Sequence, residues 1–221
     1  MSFNASQFHQ FIIEHHIIKL FDTPITLKSG ATSHLYINWR HISNDAYLMD
    51  QLTSHVLQFV TQSDLPTIHT FYGVAEGATK LGILTQFKYA QQQNYSNGSH
   101  TLAMGRAKPK THGDPTDTLF VGAPTGNICV LEDVTTSGGS LIDCVKQLQS
   151  LNMNVVAAIA LTNRNPIATN ATSTKDALKA LNVPYLAMST AEALLQNYIP
   201  QATPSADVLK HIQSEYPTLS V

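Results

Sequence analysis

Residues Ile128-Cys129-Val130-Leu131-Glu132-Asp133-Val134-Thr135-Thr136-Ser137-Gly138-Gly139-Ser140 decide the fold. Ile128–Leu131 is a short apolar strand that ends on two adjacent carboxylates. The chain then turns through Thr, Ser and Gly residues into a helix predicted around Ser140–Leu151, and the all-apolar run Val155–Leu161 follows directly. A strand–helix–strand unit joins parallel strands, and a strand with no polar alternation is one buried on both faces. The fold class that follows is α/β, a doubly wound, mainly parallel sheet flanked by helices.

The same stretch carries chemistry. Where a strand feeds a helix through small residues, free backbone amides and the positive end of the helix dipole meet, and such a turn can hold a phosphate. Two carboxylates at the carboxyl edge of a parallel sheet can accept hydrogen bonds from paired ribose hydroxyls or help hold Mg²⁺ beside that phosphate. Together they describe a cradle for a ribose 5-phosphate. Other phosphate loops fit worse: Gly73 to Lys80 does not match G-x-x-x-x-G-K-[ST], because Lys80 stands three residues after Gly77 and is followed by Leu81, and no G-x-G-x-x-G occurs. Nucleoside triphosphate hydrolysis and dinucleotide redox chemistry lose their main support.

Working outward, Phe8, Phe11, Ile12 and then Ile18 or Lys19 predict an amphipathic helix over about residues 5–20. Two extended pieces, Ile25–Leu27 and Leu35–Asn38, flank the turn Lys28-Ser29-Gly30. Ser43-Asn44 can cap a helix bearing Leu48, Leu52, Val56 and Phe59, and a strand Ile68–Tyr72 follows. A short strand is expected near Leu102–Met104. Residues 105–127 hold four glycines and three prolines without periodicity, so they read as a long loop, either a binding flap or a disordered insertion, with composition favouring the flap. A helix, a strand near Tyr185–Met188 and a short helix are expected over 174–195, and the tail beyond is less readable.

Composition sets the bounds. The 221 residues suit one domain, and 43% hydrophobic against 13% charged residues supports a sizeable core and argues against disorder. With 13 Lys+Arg against 15 Asp+Glu, the net charge of -2 gives no global attraction to nucleic acid or an anionic membrane, so any anion site must be local. Val155–Leu161 is far short of the roughly 20 residues that cross a bilayer, and the start lacks a secretory pattern, so a cytoplasmic location is expected. Cys129 and Cys144 read as buried reduced thiols, and no histidine spacing matches a metal site.

The Leu131–Ser140 stretch resembles the signature of the type I phosphoribosyltransferases. Leu27-Lys28-Ser29-Gly30 with Ser33-His34-Leu35-Tyr36 is similar to the N-terminal motif of the orotate phosphoribosyltransferases, and Arg106 with Lys110-Thr111-His112-Gly113 is similar to their mobile catalytic loop. The resemblance implies a single domain: a small N-terminal hood over about 1–45, a core over about 46–200 and a mobile loop at 105–127. It implies transfer of the phosphoribosyl group of 5-phosphoribosyl 1-pyrophosphate (PRPP) to orotate, with Mg²⁺, giving orotidine 5'-monophosphate and pyrophosphate in de novo pyrimidine synthesis. By resemblance Lys110 and His112 are the catalytic loop residues. Lys28, Arg106, Glu132, Asp133, Val134, Thr135, Thr136, Ser137, Gly138, Gly139 and Ser140 bind PRPP or pyrophosphate, and Lys28, Tyr36, Ile37, Thr136 and Arg164 face orotate. No set of direct protein ligands is assigned to the metal, which arrives with the substrate beside Glu132 and Asp133. The resemblance also implies a homodimer in which each loop reaches the neighbouring site.

The chain departs from the family pattern at Ala107, where a second basic residue often stands, at Gly77, where some members carry a lysine, and at Ile37, where an aromatic is frequent. Lys80 and Lys108 are the nearby cations that could substitute. The rival readings are a phosphoribosyltransferase for another nucleobase and a non-catalytic regulator on the same fold. The Lys28–Gly30 turn and the Lys110–Gly113 loop favour orotate, and the weakly acidic chain disfavours an RNA-binding regulator.

Overall fold

The computed structural model describes residues 2–27, 30, 32–106, 108–112, 118–164 and 173–219. Its centre is a parallel sheet in the order β3 (Thr70–Gly73), β6 (Asn127–Thr135), β7 (Asn154–Asn163), β8 (Tyr185–Thr190). Successive strand residues point to opposite faces. Cys129 and Leu131 of β6 therefore join one core with α2 (Ala46–Gln62) and α3 (Thr79–Gln91), while Ile128 and Val130 join a second with α4 (Gly139–Ser150) and α5 (Thr174–Ala180). Because α3 after β3 covers one face and α4 after β6 the other, the winding reverses between those two strands. Ligand crevices form outside the carboxyl ends of strands at such a reversal. The α/β class with helices on both faces is as expected.

The N-terminal region differs from the sequence expectation. Helix α1 (Ala5–Glu14) buries Phe8, Phe11 and Ile12 as the spacing requires, and Asn4 caps it by accepting from the Gln7 amide at 3.1 Å. It does not run to residue 20. His16 turns into the left-handed region at φ 53°, and Ile18 and Lys19 open strand β1 (Ile18–Thr26), antiparallel to β2 (Thr32–Ile37). β-Branched Ile18 fits the strand, and the three-and-four spacing is continued only because Ile17, just before it, and Ile18 are buried from there.

A 3-10 helix, Trp39–Asn44, takes up Ser43 and Asn44, so Asp45 instead caps α2, accepting from the Leu48 amide at 2.9 Å. The region read as unpatterned from 105 to 127 contains a small ribbon: β4 (Met104–Gly105) pairs with β5 (Phe120–Val121). The Arg106 amide donates to Leu119 O and the Lys110 amide to Thr118 O, both at 2.9 Å. Two-residue strands leave too short a pattern for periodicity to register. The tail is ordered by burial: α6 (Ala191–Ala202) packs against β1 and β8, and α7 (Ala206–Glu215) buries Val208 and Ile212 against the β1–β2 ribbon, followed by buried Tyr216 and Leu219.

Candidate active site

At the end of β6, buried Glu132 and half-buried Asp133 stand side by side. Glu132 accepts from the Asp133 amide at 3.1 Å and Asp133 from the Val134 amide at 2.8 Å, so one oxygen of each is held by backbone. The loop then reaches Gly138, the N-cap of α4, at φ 73°, with no side chain capping the helix. A Cβ at Gly138 would stand 2.9 Å from Thr174 Cβ and nearer still to its other side-chain atoms, so both the conformation and the space demand glycine. An α4 N-terminus free of a capping side chain, opening on a cleft, offers its amides and dipole to an anion.

That cleft encloses about 650 Å³. Its floor is the whole of Glu132 to Ser140, with Asp143. Its opposite wall comes from the β1–β2 ribbon and its exit, Thr26, Leu27, Tyr36, Ile37, Asn38 and Arg40, and Arg164 closes one end. Thr135 Oγ1 lies 2.5 Å from the Tyr185 hydroxyl, bracing the loop against β8. Burial chiefly, with the Glu132 carboxylate adding to it, pushes Tyr185 up to about 12 although the Thr135 bond pulls the other way. The same two causes push the Cys144 thiol up to about 12. Burial also raises Cys129, so both thiols are protonated and inert at neutral pH.

Arg164 leaves β7 with its amide bonded to Thr135 O at 2.7 Å. Only 4% exposed, it donates through Nη2 to Leu35 O at 3.1 Å, lies 3.7 Å from Glu215, and its own carbonyl accepts from the Tyr216 hydroxyl at 3.0 Å. Among the described residues its buried Nε has no hydrogen-bond partner.

Of the predicted site residues, Tyr36, Ile37, Glu132 through Ser140 and Arg164 share this cleft. Lys28 lies outside the described residues, as do Ala107 and Gly113. Arg106, Lys110 and His112 sit on or beside the β4–β5 ribbon and are not among the cleft-lining residues. Lys80 does not replace a cation at position 77: its Nζ donates to Ser43 O at 2.9 Å, away from the cleft. Lys108 is exposed and likewise does not line it. Gly77 is pressed against Asp133, with a Cβ there only 2.9 Å from Oδ2, so this loop has room for no side chain unless the carboxylate moves.

Sequence reasoning passed over Arg40, Asn38, Asp143 and Glu215. Arg40 had a signal, since it stands four residues after the end of the Ser33–Tyr36 motif. Glu215 had none, being in a tail without a motif.

Among the described residues, no cluster of three or more His, Cys, Asp or Glu could cage a metal. Glu132 and Asp133 nonetheless fit Mg²⁺, which binds through one or two carboxylates together with substrate phosphates.

No protein-family model matches the chain. Orotate phosphoribosyltransferases are similar to it in sequence: that of Rhodopseudomonas palustris strain BisB5 is 31% identical over 157 residues, covering 66% of this chain and 77% of the relative. That of Methanospirillum hungatei is 30% identical over 141 residues, covering 63% and 73%. In structure, the orotate phosphoribosyltransferase of Francisella tularensis shares the fold with a TM-score of 0.68 at 20% identity, over 94% of this chain and 96% of that one.

Proposed function

Because this chain belongs to the orotate phosphoribosyltransferase family, an enzyme family of glycosyltransferase type, we propose that it transfers phosphoribosyl from PRPP to orotate as a step of de novo pyrimidine synthesis. The observation that carries the reading is one cleft in which the N-terminus of α4, the Glu132–Asp133 pair and Arg164 converge.

Each part has a task. The amides of Thr136 to Ser140 and the α4 dipole hold the 5-phosphate, with Thr135 braced by Tyr185. Glu132 and Asp133 accept from the ribose hydroxyls. Mg²⁺, when bound there with the substrate, neutralises the charge of the pyrophosphate leaving group. Tyr36 supplies a flat wall for the pyrimidine, and Ile37 a smaller apolar one. Arg164, with Lys28 and Thr136, meets the acceptor anion. In the reaction the bond from C1 to the pyrophosphate oxygen breaks as the bond from C1 to the pyrimidine nitrogen forms. Positive charge on the ribose ring sits near the acidic pair, and negative charge grows on the departing pyrophosphate.

Arg106, Lys110 and His112 supply cations to that leaving group from a loop that closes over the site and excludes water. In the same reading the site is composite, a second copy lending the loop. Exposed apolar side chains on α3, Leu84 and Phe87, support a homodimer. The role proposed is cytoplasmic; no described helix is long and apolar enough to cross a membrane.

Incubation with Mg²⁺, PRPP and orotate, followed by loss of orotate absorbance, tests the reading. Turnover with orotate and none with purine bases is expected. Turnover with a purine alone selects the other-base reading, and none with any base selects the regulator. Asp133→Asn is expected to weaken PRPP binding while leaving the fold intact.

A further inference from the structure

The tail after residue 200 carries no motif, yet it touches the acceptor end of the cleft. A guanidinium stays charged at any pH a protein meets, and burying it requires compensation. Arg164 is buried, and the nearest carboxylate is that of Glu215, at the end of α7. Glu215 Oε2 accepts a hydrogen bond from buried Ser33 Oγ at 2.9 Å, and Ser33 Oγ in turn accepts from the Leu35 amide at 3.0 Å. Leu35 O accepts from Arg164 Nη2. Glu215, Ser33, Leu35 and Arg164 therefore form a closed circuit that joins α7, β2 and the end of β7. The residues next along β2 are Tyr36 and Ile37, the cleft wall. Tyr216 completes the clamp on the Arg164 backbone.

The spacing matters. At 3.7 Å from Nη2, Glu215 compensates the charge without a short bidentate pair. The guanidinium is held by that ion pair and by the one hydrogen bond to Leu35 O.

We infer that Glu215 is a positioning residue that fixes Arg164 at the acceptor end of the cleft, making the C-terminal helix α7 part of the recognition of an anionic acceptor base. This rests on Arg164 being an acceptor ligand. Without Glu215, the arginine loses its compensating charge and is left with its single bond to Leu35 O, so its guanidinium shifts from the position in which it meets the acceptor's carboxylate.

Steady-state kinetics on Glu215→Ala, Glu215→Gln, Arg164→Ala and the double variant Glu215→Ala/Arg164→Ala test this. Glu215→Ala is expected to raise KM for orotate about tenfold or more, the loss of one well-placed polar contact, with KM for PRPP within about twofold. Glu215→Gln, which still accepts from Ser33 but carries no compensating charge, should recover only part of the orotate affinity. Because Glu215 acts through Arg164, the double variant should be no worse than Arg164→Ala alone. Should Glu215→Ala fail to fold, Ser33→Ala cuts the same circuit at its other end and should raise KM for orotate in the same selective way. Unchanged KM for orotate in Arg164→Ala would remove Arg164 as an acceptor ligand. A raised KM there with no effect of Glu215→Ala, equal rises for both substrates, or simple additivity in the double variant overturns the positioning role.

Discussion

Gly138 is the position at which the fold and the proposed phosphate loop make the same demand, so Gly138→Ala is a severe test. Two costs add. At φ 73° an alanine pays the left-handed penalty of about 1–2 kcal/mol. Its methyl would also drive into Thr174, whose side chain is buried at the start of α5, and overpacking of this kind costs about 1–3 kcal/mol. A total of about 3 kcal/mol lowers Tm by roughly 6–12 °C for a chain of this size. Gly98 provides the control, since its φ of 79° is equally left-handed but nothing lies within 4 Å of an added Cβ. Gly98→Ala should cost only the first term, about 1–2 kcal/mol.

The functional consequence separates the two further. Relief of the Thr174 clash shifts the loop and misaligns amides that would hold the 5-phosphate. Loss of one charge-assisted bond, about 1.5–3 kcal/mol, weakens PRPP binding about 10- to 100-fold. Calorimetric titration of PRPP and thermal melting of both variants read the two effects. Gly138→Ala with PRPP affinity and Tm equal to those of Gly98→Ala would refute both the packing argument and the assignment of the loop.

Lys110→Ala should stay folded and bind orotate nearly normally while kcat falls about a hundredfold, since one preorganised charge on the leaving group contributes on the order of 3 kcal/mol; near-normal kcat contradicts it. Mixing that variant with Asp133→Asn should restore part of the activity if the loop is lent between subunits, and no rescue in demonstrably mixed dimers assigns the loop to its own subunit. Tyr185 and Cys144 both keep their protons to about pH 12 in the folded state, against ordinary values of 10 and 9, so the stability they contribute is complete below about pH 9 and is lost as pH rises toward 12. Melting curves between pH 8 and 11 should show that decline, flattened in Tyr185→Phe. Half-buried His55 packs between Phe8 and Phe11 with Nδ1 unpartnered, and burial lowers its pKa, so its contribution is present above pH 6.5 and lost on acidification. The drop in Tm from pH 7 to 5 should therefore shrink in His55→Leu, and an unchanged drop removes His55 as a cause.

The strand, acidic pair, Gly-rich turn and helix between Ile128 and Leu151 were legible because every determinant lies within a few residues of the next. An apolar run bounded by carboxylates, and glycine where φ must be positive, are local rules that hold whatever else the chain does. They determined the α/β class and placed a Gly-rich strand-to-helix turn with an acidic pair at the carboxyl edge of the sheet. Other features depended on contacts between distant positions. Helix α1 stops at Glu14 because His16 reverses the backbone and Ile17 and Ile18 are needed in the core, which the three-and-four spacing cannot register. Lys80 is near Gly77 in sequence but spends its charge on Ser43, 37 residues away. Arg164 reaches Leu35 across 129 positions, and Glu215 reaches Ser33 across 182. Where α7 docks is decided by burial of Val208, Ile212 and Tyr216, an apolar face that predicts a helix but not its partner. Only the packed chain brings a carboxylate from the tail to the arginine at the end of the cleft, because burial selects which faces meet while local sequence only prepares them.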